Sequence, residues 1–112
     1  MIRVVRFRQT DKQLFADIKS GRKTVETRAA TKNYANLVAG DSLKFVCGQE
    51  TTIKKIIKVN HFSSIDDLFK NVPVKNVMPE AKNIARAKKI YYSFPGYQAK
   101  ISQLGLIAFY LK

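Results

Sequence analysis

The chain is short of the residues that carry metal and redox chemistry. Cys47 is its single cysteine and His61 its single histidine. An internal disulfide is therefore excluded, and no cysteine–histidine set exists to hold zinc, so neither a metal nor another cofactor is expected. Cys47 lies in an apolar stretch and reads as a core residue. No apolar run approaches the roughly 20 residues that span a bilayer. The N-terminus has no long apolar stretch ending in a small-residue cleavage site, which points to a first strand rather than a signal peptide and to the cytoplasm. Three prolines and five glycines are scattered without forming a linker, and there is no repeat or low-complexity tract. Residues 1–112 therefore read as one domain, with a monomer the simplest expectation.

Acidic residues are scarce as well. Eight stand against 21 lysines and arginines, a net charge of +13, well beyond what solubility requires and suited to a polyanionic partner. The excess is uneven. Residues 1–28 hold eight basic and three acidic residues, and residues 76–112 hold six and one, whereas residues 61–75 are balanced. If the two chain ends meet in the fold, they make one positive face. The competing reading is an ordinary solvated surface. Membrane-surface binding by the basic stretch 80–92 is disfavoured because its apolar face is small and tyrosine-rich.

Apolar patterning predicts the elements. Residues 2–7 read as a strand interrupted by Arg3 and Arg6. Thr10 with Gln13 has the spacing of a capping box, and Leu14, Phe15 and Ile18 form a helical face, giving a helix over 11–20 that Gly21 terminates. Thr24 to Arg28 is a β-branched, alternating strand. Residues 32–39 connect to Gly40-Asp41, and the strands 42–47 and 51–62 form a hairpin turning at Gly48-Gln49. Ser64 and Asp67 cap a short helix ending before Pro73. Pro79 opens a third helix reaching Tyr92, with Ile84, Ala85 and Tyr91 or Tyr92 inward, and a last strand over 104–111 is apolar enough to be buried on both faces. The fold class is α+β: a small, partly closed β-barrel of about five to six mostly antiparallel strands with about three helices at its rim.

The segment Gly21-Arg22-Lys23-Thr24-Val25-Glu26-Thr27-Arg28 concentrates the chemistry. On a strand, Glu26 and Arg28 emerge from one face with Lys23 at the start. The carboxylate accepts from amino groups, and the guanidinium clamps phosphate or purine edges. The competing reading is a solvated ion-pair ladder of little energetic value.

This segment resembles the Gly-x-Lys-x-x-x-x-Arg signature of the ASCH domain, a member of the PUA-like barrel superfamily associated with RNA. Phe15 and Ile18 before it, Gly40-Asp41, Phe62-Ser63 and the tyrosine-rich stretch leading to Pro95-Gly96-Tyr97 follow in the family's order across essentially the whole chain. The resemblance implies a PUA-like barrel whose cleft is lined by Lys23, Glu26 and Arg28 and roofed by the third helix. It also implies a choice of function. Some ASCH proteins look like amidohydrolases of N4-acylcytidine that use the signature lysine, a threonine three residues on and a later glutamate. Here Glu26 stands at the threonine position, and Glu80 is the one later candidate acid.

The expected function is therefore binding of RNA or another single-stranded nucleic acid, or of a nucleoside, through this cleft. The candidate binding residues are Arg22, Lys23, Glu26, Arg28, Tyr34, Lys88, Lys89, Tyr92 and Tyr97, with Tyr97 expected to be the most exposed of the tyrosines. The alternative is hydrolysis of a modified nucleoside or of RNA, with Lys23 and Glu26 as the catalytic pair.

Overall fold

The most apolar stretch of the chain, Leu106–Leu111, forms strand β5, and the rest of the fold is arranged about it. In the computed structural model, which describes residues 1–112, Ile107 and Phe109 belong to one buried cluster while Leu106 and Ala108 belong to another. A strand buried on both faces needs a continuous apolar sequence, as expected here. The first cluster fills the concave side of the sheet with Val5, Phe45, Ile56 and, from helix α1 (Lys12–Ser20), Phe15 and Ile18. The second lies beneath the later helices, with Val25, Leu68, Val77, Tyr91 and Ile101.

Five strands make one mixed sheet in the order β1 (Ile2–Phe7), β3 (Ser42–Cys47), β4 (Glu50–Phe62), β5, β2 (Val25–Ala29). Three of the four pairings are antiparallel; β1 joins β3 in parallel. Strand β4 explains the curl. Its first half pairs with β3 and its second half with β5, and the register slips between Ile56 and Lys58, the kind of irregularity that bends a strand and raises its twist. The sheet thus curls into a half-barrel that is not closed by hydrogen bonds. β1 and β2 remain edges facing each other across an open seam, where the Arg28 guanidinium of β2 lies 5.2 Å from the Phe7 ring of β1.

Six helices, not about three, surround the sheet. Besides α1 there are α2 (Lys32–Ala35), α3 (Ile65–Asn71), α4 (Val74–Val77), α5 (Ile84–Ser93) and α6 (Tyr97–Leu104). α2 and α4 are single turns too short to produce a periodic pattern, and α6 occupies the stretch between Pro95-Gly96-Tyr97 and the last strand, to which the sequence reading gives no element. Gly21 ends α1 in the left-handed conformation at φ 88°, as a helix stop requires. Gly105 turns the chain from α6 into β5 at φ 74°, and a Cβ there would meet the Phe62 carbonyl oxygen at 2.5 Å.

Two local expectations fail. The 10/13 capping box does not form: residues 9–11 make a 3-10 turn, Asp11 is the N-cap residue, and its carboxylate takes the Arg8 guanidinium instead. The long third helix begins at Ile84, five residues after Pro79, with the Asn83 side chain accepting from the Arg86 amide. Its inward face is Ala87, Ile90 and Tyr91, leaving Ile84 and Ala85 exposed. No helix is long and apolar enough to cross a membrane.

Candidate functional site

A cavity of about 190 Å³ opens along the seam. β1 and the turn after it contribute Arg6, Phe7, Arg8 and Asp11. α1 contributes Leu14, and β2 with its lead-in contributes Lys23, Glu26, Thr27 and Arg28. The far wall is Met78, Tyr91, Phe94, Pro95 and Tyr97. Both ends of the chain therefore meet here, but every cation of the lining comes from residues 1–28, and the 76–112 part supplies apolar and tyrosine side chains instead of the second half of a positive face.

The buried polar groups of β2 form a closed network. Lys23 and Glu26 are each 3% exposed. Such charges persist away from water only when paired and hydrogen-bonded. The Lys23 ammonium donates to the Val25 carbonyl at 2.8 Å and to the Val77 carbonyl at 2.5 Å, and it lies 3.3 Å from Glu26 Oε1. Its three donors are thereby occupied. Glu26 Oε1 also accepts from the Thr27 amide at 2.9 Å, while Oε2 faces Arg28 Nη2 at 3.2 Å. Glu26 thus folds back onto the edge of its own strand and orients Arg28. Arg28 is further held over the rings of Phe7 and Tyr34, at 5.2 and 5.8 Å, distances at which cation–π attraction operates. With 19% of its side chain exposed, Arg28 is the member of the network open to a ligand.

The electrostatics follow from burial. Burial pulls the Lys23 pKa below its ordinary value, against the opposing pull of Glu26. Burial alone would raise the Glu26 pKa, but Lys23 and Arg28 beside it hold the carboxyl below the ordinary range. Burial would lower that of Arg28, but Glu26 together with the Tyr97 and Tyr34 hydroxyls outweighs it, so the guanidinium is more firmly protonated than usual. Two phenols are pushed up, chiefly by burial: Tyr91, whose hydroxyl is hydrogen-bonded to that of Thr27, and Tyr97.

The expected site residues separate into groups. Lys23, Glu26, Arg28 and Tyr97 line one cavity. Tyr34 stands behind Arg28. Arg22 points elsewhere: it bridges the buried carboxylate of Asp17 and the exposed one of Glu80, each at 3.1 Å. Glu80, the candidate later acid, does not line the cavity. Lys88 pairs with the exposed Asp66 at 3.0 Å, Lys89 is exposed, and neither reaches the cavity. Tyr92 is 44% exposed and lines only a shallow hollow on the outer side of Phe94 and Tyr97. The expected order of exposure is thus reversed, because Tyr97 packs edge-on against Phe94 with 5.3 Å between centroids.

The structure superposes on a hypothetical protein, PH0355, with a TM-score of 0.84 at 21% identity, covering all of this chain and 98% of that one. It also superposes on PF0455 from Pyrococcus furiosus, with a TM-score of 0.75 at 20% identity, covering all of this chain and 96% of that one. No protein-family model matches the sequence, and no curated protein does. Likeness at this level establishes a shared α+β fold.

Several buried or cavity-lining residues escape sequence reasoning. Asp17, outside the cavity, is 1% exposed beneath Arg22; its signal was a carboxylate three residues after Leu14, in register with the apolar face of α1. Thr27 and Tyr91 pair across 64 positions, for which no local pattern exists. Arg6 and Arg8 share a strand-like spacing of two, masked by Arg3 in the same run.

Proposed function

We propose that the protein is an ASCH-type, PUA-like RNA-binding domain that admits one nucleotide of a single-stranded RNA to the seam cavity. The observation carrying this reading is the convergence of Lys23, Glu26, Arg28 and Tyr97 on one small concave site in a chain of net charge +13. At about 190 Å³ the cavity lies below the roughly 300 Å³ at which drug-sized sites begin. It suits a single base rather than a length of strand. Arg28 is preset by Glu26, Phe7 and Tyr34 and keeps donors for a base edge or a phosphate. Tyr97 and Phe94 offer aromatic surface, and a base stacked on an aromatic ring is worth about 1–3 kcal/mol.

Hydrolysis of a modified nucleoside is the weaker alternative. A nucleophile or base must have a free lone pair or proton aimed at the substrate. Lys23 spends its three donors on two carbonyls and Glu26, and Glu80 is bound to Arg22 outside the cavity. The network positions Arg28 better than it attacks a bond.

Fluorescence anisotropy with single-stranded RNA oligonucleotides tests the reading. With about four to six phosphates contacted, affinity falls about 50- to 300-fold between 50 and 200 mM salt. Arg28→Ala weakens binding by at least about tenfold at fixed salt, the equivalent of one charge-assisted contact. Absence of binding at 50 mM salt, or binding indifferent to Arg28→Ala, refutes the proposal.

A further inference from the structure

The network just described leaves two cations at the seam unaccounted for. Four basic residues line the cavity, Arg6, Arg8, Lys23 and Arg28, against two carboxylates, Asp11 and Glu26. Glu26 is consumed by Lys23, the Thr27 amide and Arg28. Asp11 takes Arg8 through Nε alone, at 2.8 Å. The Nη groups of Arg8 are unengaged, half of the side chain is exposed, and its guanidinium lies 5.7 Å from the Phe94 ring. Arg8 therefore reaches from the β1 side of the seam to the far wall, held at one end by Asp11 and against Phe94 at the other. Arg6 is exposed and has no carboxylate partner.

We infer that Arg8, with Arg6 beside it, makes the mouth of the seam cavity a phosphate site, so that the ligand is a nucleotide carrying phosphate next to the inserted base and not a bare nucleoside. Three features support this. First, an arginine with its Nε anchored and both Nη groups free presents the planar fork that matches two phosphate oxygens. Second, the lining carries a net charge of two positive units, one at the mouth from Arg6 and Arg8 against Asp11 and one from Lys23 and Arg28 against Glu26, a field that favours an anion at the mouth. Third, the division of labour is geometric. In the interior Lys23 and Glu26 are fully bonded and Arg28 is already paired with Glu26, which fits an uncharged ring met by the remaining Arg28 donors, whereas the cations with no partner in that network, Arg6 and Arg8, stand on the β1 side. The inference rests on the nucleotide-binding reading above and narrows its ligand class. A monophosphate and an internucleotide phosphodiester share the chemistry, and the test separates them.

The experiment is calorimetric titration of the intact protein with the four ribonucleosides, their 5′- and 3′-monophosphates, inorganic phosphate and a short single-stranded RNA. It compares the wild type with Arg28→Ala and with the double variant Arg6→Ala/Arg8→Ala, each first shown to melt as a folded protein. The expected result is that at least one monophosphate binds tenfold or more tightly than its nucleoside. The double variant removes that gap, so that monophosphate and nucleoside then bind alike. A gap confined to the RNA assigns the site to phosphodiester, and the same loss in the double variant is then required. Equal affinity for nucleoside and monophosphate with RNA unaffected by the double variant overturns the inference, as does a gap that survives it. Inorganic phosphate binding as tightly as the nucleotides overturns it too, since the anion site would then be independent of the cavity. If RNA binding depends on Arg28 but not on Arg6 and Arg8, only the phosphate mouth falls. If the wild type binds none of these ligands, the nucleotide reading falls with it.

Discussion

Strand β2 and helix α5 carry the same kinds of residue with opposite fates. β2 and its lead-in hold Lys23, Glu26 and Arg28 in a buried network in which each charge is met. α5 holds Lys88, Lys89 and Tyr92 on a face turned to solvent, with one ion pair to an exposed aspartate. Composition does not separate them. Position in the fold does: β2 is an edge strand at a seam the sheet never closes, whereas α5 packs Ala87, Ile90 and Tyr91 inward and so leaves Lys88, Lys89 and Tyr92 towards solvent. Charge counting finds a partner class; burial finds the site.

The hardest test of this contrast is the removal of Lys23. Lys23→Met leaves Glu26 short of a counter-charge and the Val25 and Val77 carbonyls without their donor. Breaking a buried pair from one side typically costs about 3–5 kcal/mol. Chemical denaturation should register a loss of that size. Adding Glu26→Gln should restore part of it, because the stranded charge is then gone. A loss under about 1 kcal/mol would place Lys23 with the solvated lysines and erase the distinction.

Acid titration probes the same network more gently. The Glu26 pKa is lower in the folded protein than its ordinary value of 4.5, so the unfolded chain binds the proton more readily. The stability contributed by Glu26 is therefore fully present above the unfolded value and is lost as pH falls through the lower folded value. Lys23 runs on the alkaline side. Its folded pKa is depressed below 10.5, so the cost of burying its charge is present below that folded value and is relieved as pH rises towards 10.5. Stability curves of the wild type and Glu26→Gln should converge as pH falls from 4.5 through the lower folded value. Their separation at neutral pH should match a charge-assisted hydrogen bond, about 1.5–3 kcal/mol. Parallel curves across that range would show that Glu26 is not the group being titrated.

The contrast also explains what could be read in the sequence. The strand over 24–28, the Gly21 stop, the hairpin at Gly48-Gln49 and the doubly buried last strand were legible because each rests on local periodicity or turn chemistry. The α+β class and mostly antiparallel sheet followed. The short helices 32–35, 74–77 and 97–104 were not legible, since one or two turns leave no period. At the site, Lys23, Glu26 and Arg28 were found because they share one strand. Arg8 and Tyr91 were missed because their roles depend on what faces β2 across the seam, and that is set by the curl of β4 and its irregularity at residue 57. Lys88 and Lys89 were placed in the site by proximity to tyrosines in sequence, and the helix leaves both outside the cavity lining.

The smallest expected effect is the most discriminating for those two lysines. Lys88→Ala and Lys89→Ala should each change stability by less than about 0.5 kcal/mol, the range of exposed ion pairs and solvated charges. On RNA they act only through the long-range field, which is screened beyond roughly 10 Å at 0.1 M salt. Each should weaken binding by no more than about threefold at low salt and leave it unchanged at 0.2 M, where Arg28→Ala still shows its full deficit. A lysine of α5 whose loss matched that of Arg28 at high salt would have to touch the ligand. The binding surface would then extend over the rim from Tyr97 to Tyr92, and the shallow hollow between them would become its second compartment.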